Sequence, residues 1–258
     1  MMKTRSCEPL TTEWQSRLRE MEGWYRDFSA DMRSAADNLL YDYAPYAPVL
    51  SRFEGAVLDV GGGAGISGAF LPIHCDYVVL EPSMTWLDGN WDAIAHLINP
   101  IRVRPRMVLG MGERLPFQPQ VFDFAMAMWS LNHAAEPAAV LEEMFRVMKP
   151  GGRALVVLED AEPSVRDLLG YYLRAIRHRV GRASNFAIRP RKPYGLLPLL
   201  GRKLLRRPWP VQSDHIPITE LQFRSWIKDR LVVTRRSWDG GFLSFELQRV
   251  VSMHVADA

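Results

Sequence analysis

The chain has 258 residues, enough for one α/β core with an accessory layer, and its 48% hydrophobic and 24% charged residues are typical of a globular protein. Its two cysteines, Cys7 and Cys75, exclude a disulfide framework, and no Cys, His or Asp spacing predicts a metal site. The first residues lack an apolar signal-peptide core, and no apolar run approaches the roughly 20 residues that span a bilayer. We therefore expect a soluble, cytoplasmic protein.

The net charge of +3 is unevenly distributed along the chain. Residues 164–210 contain twelve Lys or Arg and one acidic residue, Asp167, which gives a local charge of +11. The remaining 20 basic and 28 acidic residues give a charge of −8. This split predicts a surface that faces anions.

Two helices are predicted in the first 50 residues. The segment Thr12-Glu13-Trp14-Gln15 resembles a capping box, and apolar residues follow it at helical spacing. The second helix is expected to begin at Asp31, with apolar residues along one face, and to end before Pro45.

Strands and helices alternate between residues 56 and 159. The strands are predicted at Ala56–Val60, Tyr77–Glu81, Arg104–Leu109, Phe122–Trp129 and Arg153–Glu159. The helices are predicted at Ala64–Leu71, from Ser83 to Asn99, and from Pro137 to Met148, where Lys149-Pro150-Gly151-Gly152 forms a turn. The alternation implies a parallel sheet with right-handed crossovers.

Regular structure returns at the end of the chain. A helix is predicted at Thr219–Arg230. The segments Leu231–Trp238 and Phe242–Val251 alternate in polarity around Asp239-Gly240-Gly241, which predicts a β-hairpin.

A glycine-rich turn follows the first strand. Residues 57–65 read Val-Leu-Asp-Val-Gly-Gly-Gly-Ala-Gly, and a turn without side chains lets backbone N–H groups approach a ligand closely. Glu81 ends the second strand, 22 positions after Asp59, where a carboxylate suits both hydroxyls of a ribose. The pair predicts a site for an adenosine-containing cofactor.

The acid ahead of the glycines distinguishes between cofactors. Asp59 would repel the pyrophosphate of a dinucleotide and attract an ammonium group, which disfavours a nicotinamide oxidoreductase. Three later segments occur in order, Glu81–Met84, Gly112–Phe117 and Glu142–Gly152. With the glycine turn they resemble the motifs of class I S-adenosylmethionine-dependent methyltransferases, in particular the group related to ubiquinone and menaquinone methyltransferases.

The resemblance implies an α/β fold with a doubly wound, mostly parallel seven-stranded sheet. It divides the chain into an N-terminal helical lid (1–50), an S-adenosylmethionine-binding core (51–160), a basic cap insertion (161–215), and a last helix with an antiparallel hairpin (216–258). The oligomeric state is not predicted.

The implied activity is transfer of a methyl group from S-adenosyl-L-methionine to oxygen or carbon of a small acceptor, apolar or lipid-like. Two alternatives stay open: a protein that binds this cofactor for a non-methylating reaction, and a peripheral membrane scaffold on a degenerate fold. The implied cofactor-binding residues are Asp59, Gly61, Gly62, Gly63, Gly65, Glu81, Pro82, Met111, Gly112, Glu113 and Trp129.

Recognition of adenine departs from the family pattern. The family offers an aspartate to the adenine amino group, but this chain reads Gly110-Met111-Gly112-Glu113. The thioether of Met111 can pack on a purine but accepts hydrogen bonds poorly. Either Glu113 or a backbone carbonyl replaces the aspartate, or adenine binds more loosely. For Met111 itself, the alternative to packing on the purine is a core role.

The end of the fourth strand carries candidates for chemistry. Trp129 either packs on the cofactor, walls the acceptor pocket, or packs in the core. His133 is a candidate general base, or a structural hydrogen-bonding residue. His215 is a second candidate, whose basicity Asp214 would raise if the two side chains touch.

The basic insertion has three interpretations. Leucine pairs interleaved with cations at 196–209 suit an anionic membrane interface, so residues 164–210 are a candidate for peripheral membrane contact. Alternatively, the segment packs as a cap with a solvated basic face, or it binds an anionic soluble acceptor. No nucleic-acid partner is expected, because no recognised RNA or DNA module is present.

Overall fold

Seven strands form one sheet in the computed structural model, which describes residues 19, 22–23, 40, 42–83, 103–180, 201–203, 205, 207, 209–212, 215–239 and 241–250. The strands are β1 (Ala56–Val60), β2 (Asp76–Glu81), β3 (Arg106–Leu109), β4 (Phe122–Met128), β5 (Met148–Leu158), β6 (Leu231–Asp239) and β7 (Phe242–Arg249). Their order is β3-β2-β1-β4-β5-β7-β6. β1 to β5 are parallel, and β7 runs antiparallel to β5 and β6. This confirms the predicted doubly wound sheet.

Four α-helices are described, α1 (Ala47–Leu50), α2 (Pro137–Val147), α3 (Val165–Val180) and α4 (Glu220–Ile227), with 3₁₀ helices at Ala44–Tyr46, Ile66–Ala69 and Leu131–His133. α4 begins with a capping box, because the side chains of Thr219 and Gln222 each accept a hydrogen bond from the other's amide. Among the helices in the described part of the chain, none is long and apolar enough to cross a membrane. The helices predicted at Thr12 and after Ser83, and most of the one from Asp31, lie outside the described residues.

Two predicted elements differ from the structure. The helix expected at Ala64–Leu71 is only the 3₁₀ helix Ile66–Ala69, because Gly65 is left-handed (φ 72°) and the amides of Gly68 and Phe70 each donate to the carbonyl three residues earlier. The fifth strand, expected from Arg153, begins at Met148, and the predicted turn Lys149–Gly152 is a bulge within it, because Phe122 pairs with Met148, Phe124 pairs with Arg153, and Gly151 is left-handed (φ 74°).

Both faces of the sheet are buried. Leu58 of β1 packs in the cluster that contains α2 and α4, whereas its neighbour Val57 packs in the cluster that contains Leu50 of α1. Ligands therefore do not reach β1 through its faces, although the outer strands β3 and β6 keep exposed residues. The strand order reverses between β1 and β4, which leaves a crevice at their carboxyl ends, where ligands bind in sheets of this type.

A partly buried ion pair joins α3 to the sheet. The carboxylate of Asp167 accepts hydrogen bonds from both Nη atoms of Arg236 at 2.5 and 2.8 Å, and Arg236 also donates to Glu220 of α4. Burial alone raises the pKa of Asp167, but the hydrogen bonds from Arg236 and Ser164 outweigh it and lower the pKa to about 2. The pair anchors the start of α3 to β6.

We expect Asp167→Asn to lower the free energy of unfolding by about 1–2 kcal/mol at pH 7. Because the folded-state pKa lies below the unfolded value, the contribution of the carboxylate is present above about pH 4 and is lost as the pH falls toward 2. Denaturant titrations should show the difference shrinking below about pH 4. Asp76→Asn, which removes an exposed pair with Arg106, is the control and should change stability by less than about 0.5 kcal/mol. A difference that stays constant down to about pH 3 would argue against this ion pair.

Candidate functional site

The glycine turn lies at the junction of β1 and β4 and is left-handed at three positions. Gly61, Gly63 and Gly65 have φ values of 68°, 54° and 72°. A Cβ at Gly61 would lie 2.5 Å from Cβ of Ser130, and one at Gly65 would lie 2.7 Å from Cγ of Pro105. The packing of the chain itself therefore requires glycine at Gly61 and Gly65, in addition to any approach of a ligand.

Glu81, the predicted ribose ligand, ends β2 beside this turn and is 1% exposed. Its Oε2 accepts a hydrogen bond from the amide of Gly63 at 2.9 Å, and its Oε1 accepts one from the amide of Ser83 at 3.0 Å. Burial raises its pKa to about 7, despite these two bonds. The hydroxyl of Ser83 donates to the carboxylate of Glu22, which brings Glu22 close to Glu81.

Asp59 lies beneath the turn and is 1% exposed. Its Oδ2 accepts hydrogen bonds from the hydroxyls of Ser67 at 2.9 Å and Tyr77 at 2.8 Å, and its Oδ1 is buried with no partner. A Cβ at Gly62 would lie 2.6 Å from Cγ of Asp59. Burial raises the pKa of Asp59 to about 6. Asp59 thus supports the turn through one oxygen and leaves the other for a donor.

The loop predicted to meet adenine follows β3. The amide of Gly110 donates to the carbonyl of Glu81 at 3.2 Å, so the loop is tied to the end of β2. A Cβ at Gly112 would lie 2.9 Å from Cγ1 of Val60, so this glycine allows close packing on β1. The structure therefore brings Met111 and Gly112 to the edge that carries Glu81, and their contacts with adenine stay predictions.

Glu113 has a structural contact that the sequence did not indicate. Its Oε1 accepts a hydrogen bond from the amide of Ala135 at 2.9 Å and a longer one from Glu136 at 3.4 Å, just before α2. These bonds satisfy amides at a helix start. They compete with the predicted adenine contact, which stays a prediction, as does the role of the half-buried Pro82.

Trp129 follows β4 in a strained conformation. Its φ is 59°, which is unusual for a bulky residue. Its ring makes edge contacts with Tyr43, Tyr46 and Phe242 at centroid distances of 4.7, 5.8 and 5.6 Å. Its Nε1 is a buried donor without a partner. Strain and an unused donor at the carboxyl edge are typical of a ligand site.

The structure brings His133 and His215 together, with ring centroids 4.6 Å apart. The carboxylate beside Nδ1 of His215 is that of Asp160, at 2.8 Å, and the predicted partner Asp214 lies outside the described residues. The carboxylate of Glu159 lies near both rings. The sequence analysis missed Glu159 and Asp160, although their place directly after β5 puts them at this same edge.

Because the indole N–H of Trp129 has no partner, we expect replacement of Trp129 to lower the free energy of unfolding less than replacement of a hydrogen-bonded tryptophan. Trp129→Phe and Trp238→Phe remove the same atoms, but Nε1 of Trp238 donates to the carbonyl of Ala161 at 3.0 Å. Trp238→Phe breaks a made hydrogen bond and should cost at least about 1 kcal/mol more in unfolding free energy than Trp129→Phe. Equal losses in denaturant titrations would show that Nε1 of Trp129 is already bonded in the free protein.

Comparison with known proteins supports the same interpretation. Residues 58–156 match a family model described as a methyltransferase domain. The chain is 34% identical over 120 residues to the ubiquinone/menaquinone biosynthesis C-methyltransferase of Vibrio parahaemolyticus, covering 45% of each chain. It is 34% identical over 108 residues to the demethylmenaquinone methyltransferase of Mycolicibacterium paratuberculosis, covering 42% of this chain and 43% of that one. The chain thus spans less than half the length of these relatives.

A solved structure is similar in fold over nearly the whole chain. The 1,6-didemethyltoxoflavin-N1-methyltransferase of Burkholderia thailandensis, solved with S-adenosylhomocysteine, superposes with a TM-score of 0.56 at 13% identity over 95% of this chain and 93% of that one. The strand order, the glycine turn and the matched family model all agree with a methyltransferase fold. Residues 58–156 of this chain are therefore similar to a methyltransferase domain, and the chain has the fold of the class I S-adenosylmethionine-dependent methyltransferases.

Proposed function

We propose that the protein transfers a methyl group from S-adenosyl-L-methionine to oxygen or carbon of a small, apolar acceptor. The observation that carries the proposal is the position of Glu81, a buried carboxylate held beside a left-handed glycine turn where the strand order reverses. A charged group with so little solvent needs hydrogen-bond donors, and ribose hydroxyls supply them.

The buried acids at the end of β1 and β2 fit the two polar ends of this cofactor. The amides of Gly63 and Ser83 orient the carboxylate of Glu81, whose oxygens retain lone pairs for the ribose hydroxyls. Oδ1 of Asp59 is a buried acceptor without a partner, which suits the methionine ammonium, directly or through water. Met111 and Gly112 lie on the loop tied to Glu81, where the adenine would follow the ribose.

The aromatic group around Trp129 suits the acceptor. Tyr43, Tyr46 and Phe242 surround it at the carboxyl end of β4 and give an apolar wall. The relatives named for ubiquinone, menaquinone and demethylmenaquinone support a quinone-like or other lipid-like acceptor.

Methyl transfer requires the protein mainly to position the acceptor and, where needed, to remove a proton. When bound, S-adenosylmethionine supplies a methyl group that its sulfonium centre has already activated. The apolar wall positions the acceptor in line and excludes water. His133 and His215 lie at the same edge, where either, with no metal ion bound to it, can accept a proton from an acceptor that must lose one.

Peripheral membrane contact through residues 164–210 is part of the proposal. Leu168 and Tyr171 of α3 face the core, whereas Leu169 and Leu173 are exposed, and Leu205 is exposed beyond it. Exposed leucines in a segment with a charge of +11 suit insertion between anionic lipid headgroups. Such contact would place the site next to a lipid-like acceptor.

We expect Glu81→Ala to weaken binding of S-adenosylhomocysteine by about 10- to 100-fold in calorimetry, because it removes charge-assisted hydrogen bonds to the ribose. Glu54→Ala removes an exposed acid before β1 and should leave the affinity unchanged. The wild-type protein with the cofactor and a demethylated quinol should also yield a product heavier by one methyl group in mass spectrometry. Unchanged affinity in Glu81→Ala would remove Glu81 from the site, and no methylated product from any quinone-like acceptor would reject this acceptor class.

We expect the double variant Leu169→Ser/Leu173→Ser to sediment less with anionic liposomes than the wild type, because it removes the inserting side chains. Ile73→Ser changes an exposed apolar residue outside the basic segment and should sediment as the wild type does. Neutral liposomes should retain little of any of the three proteins. Equal sedimentation of the double variant and the wild type would count against membrane contact through α3.

A further inference from the structure

Three side chains from separate segments meet beyond the carboxyl ends of β4 and β5. His133 ends the 3₁₀ helix after β4, Glu159 follows β5 directly, and His215 lies ahead of α4. One ligand atom from each lies within 4.8 Å of the other two, the one such group of His, Cys, Asp or Glu found among the residues that the structure describes. Two imidazoles and one carboxylate are a donor set that zinc favours in proteins.

The two distances from Glu159 to the histidines match the spacing of ligands around an ion, and the third separation is within 4.8 Å. Oε2 of Glu159 is 3.4 Å from Nε2 of His133 and 3.5 Å from Nε2 of His215. Direct N–H···O hydrogen bonds usually span about 2.7–3.2 Å. Donors bound at about 2.1 Å to a tetrahedral Zn²⁺ lie about 3.4 Å apart. The observed separations fit the tetrahedral value and exceed the range of a direct hydrogen bond.

Asp160 orients one of the rings. Its Oδ2 lies 2.8 Å from Nδ1 of His215 and also accepts a hydrogen bond from the amide of Gln212 at 2.8 Å. When Nδ1 of His215 donates to this carboxylate, the lone pair of the ring is on Nε2, the atom that faces Glu159. A carboxylate behind a histidine is the usual support of a metal-binding imidazole.

One fully buried asparagine ties the three segments together. The side-chain amide of Asn132 donates to the carbonyls of Glu159 and Ile216, and its Oδ1 accepts from the amide of Glu159 at 2.9 Å. Its own carbonyl accepts from the amide of Ile216 at 2.7 Å. Because Asn132 adjoins His133 and Ile216 adjoins His215, these bonds hold all three donors in place before any ion arrives.

We propose that His133, Glu159 and His215 bind one divalent transition-metal ion, for which Zn²⁺ is the best match. The exposed fractions of the three side chains are 25%, 17% and 3%, so the ion would be open on the side of His133 and Glu159. Three protein ligands with an open position are typical of sites that bind a water or a substrate oxygen. The sequence shows no metal spacing because the three ligands come from distant segments that only the fold brings together.

The test is a calorimetric titration of the chelator-treated, full-length protein with Zn²⁺ alone. The wild type should bind one equivalent with a dissociation constant in the micromolar range or below, and Glu159→Gln should weaken binding at least tenfold. Glu159→Gln keeps the side-chain volume and so limits effects on folding, whereas His215→Ala opens a cavity at a buried site. His74→Ala removes an exposed histidine outside the cluster and should bind as the wild type does.

Two further readouts separate this site from surface binding. Co²⁺ bound to the wild type should give the visible absorption of a tetrahedral ion. Zn²⁺ should raise the melting temperature of the wild type and of His74→Ala but not that of Glu159→Gln. Substoichiometric binding to the wild type, or equal binding by Glu159→Gln, would overturn the proposal. The titration contains neither cofactor nor acceptor, so its result is independent of the proposed methyl transfer.

Discussion

Two buried carboxylates hold the glycine turn at the centre of the sheet edge, and the site depends on them. Asp59 supports the turn from below through Ser67 and Tyr77, and Glu81 holds it from the side through the amide of Gly63. Burial raises the pKa of Asp59 to about 6 and that of Glu81 to about 7. Because a raised pKa means that ionisation opposes folding, the stability present below about pH 4 falls as the pH rises through these values. Hydrogen-bond donors of a ligand stabilise the ionised carboxylates of Asp59 and Glu81 and so offset this loss of stability, which favours binding of the ligand.

The topology arranges the remaining groups in one line along the same edge. Glu81 ends β2, the glycine turn ends β1, and Trp129 follows β4, and these three strands are adjacent in the sheet. Glu159 follows β5, the next strand in that order. An elongated ligand that begins with its ribose at Glu81 would therefore direct its reactive end toward Trp129 and the histidine pair. In the proposed function, the sheet would thus separate recognition of the cofactor, at Glu81, from the chemistry of the acceptor, beside Trp129.

Local sequence patterns predicted much of this architecture, but they did not predict the contacts between residues that are distant in the chain. The bounds of β1 are as the sequence predicted, and α2 begins at Pro137, because alternation, periodicity and a proline start are local signals. The prediction of a helix at Ala64–Leu71 was wrong, because a left-handed Gly65 and its contacts with distant residues override local helix propensity. Tyr77, one partner of Asp59, and Asp160, the partner of His215, lie 18 and 55 residues away in the chain, so no local spacing indicates them.

The central claim is that the carboxylate of Glu81 binds the ribose of an S-adenosyl cofactor at the junction of β1, β2 and β4. A crystal structure of the protein with S-adenosylhomocysteine tests it most directly. We expect both ribose hydroxyls within hydrogen-bonding distance of Glu81 and the amino-acid end of the ligand on the side of Asp59 and Trp129. A ligand bound elsewhere, or one whose ribose makes no contact with Glu81, would contradict the account.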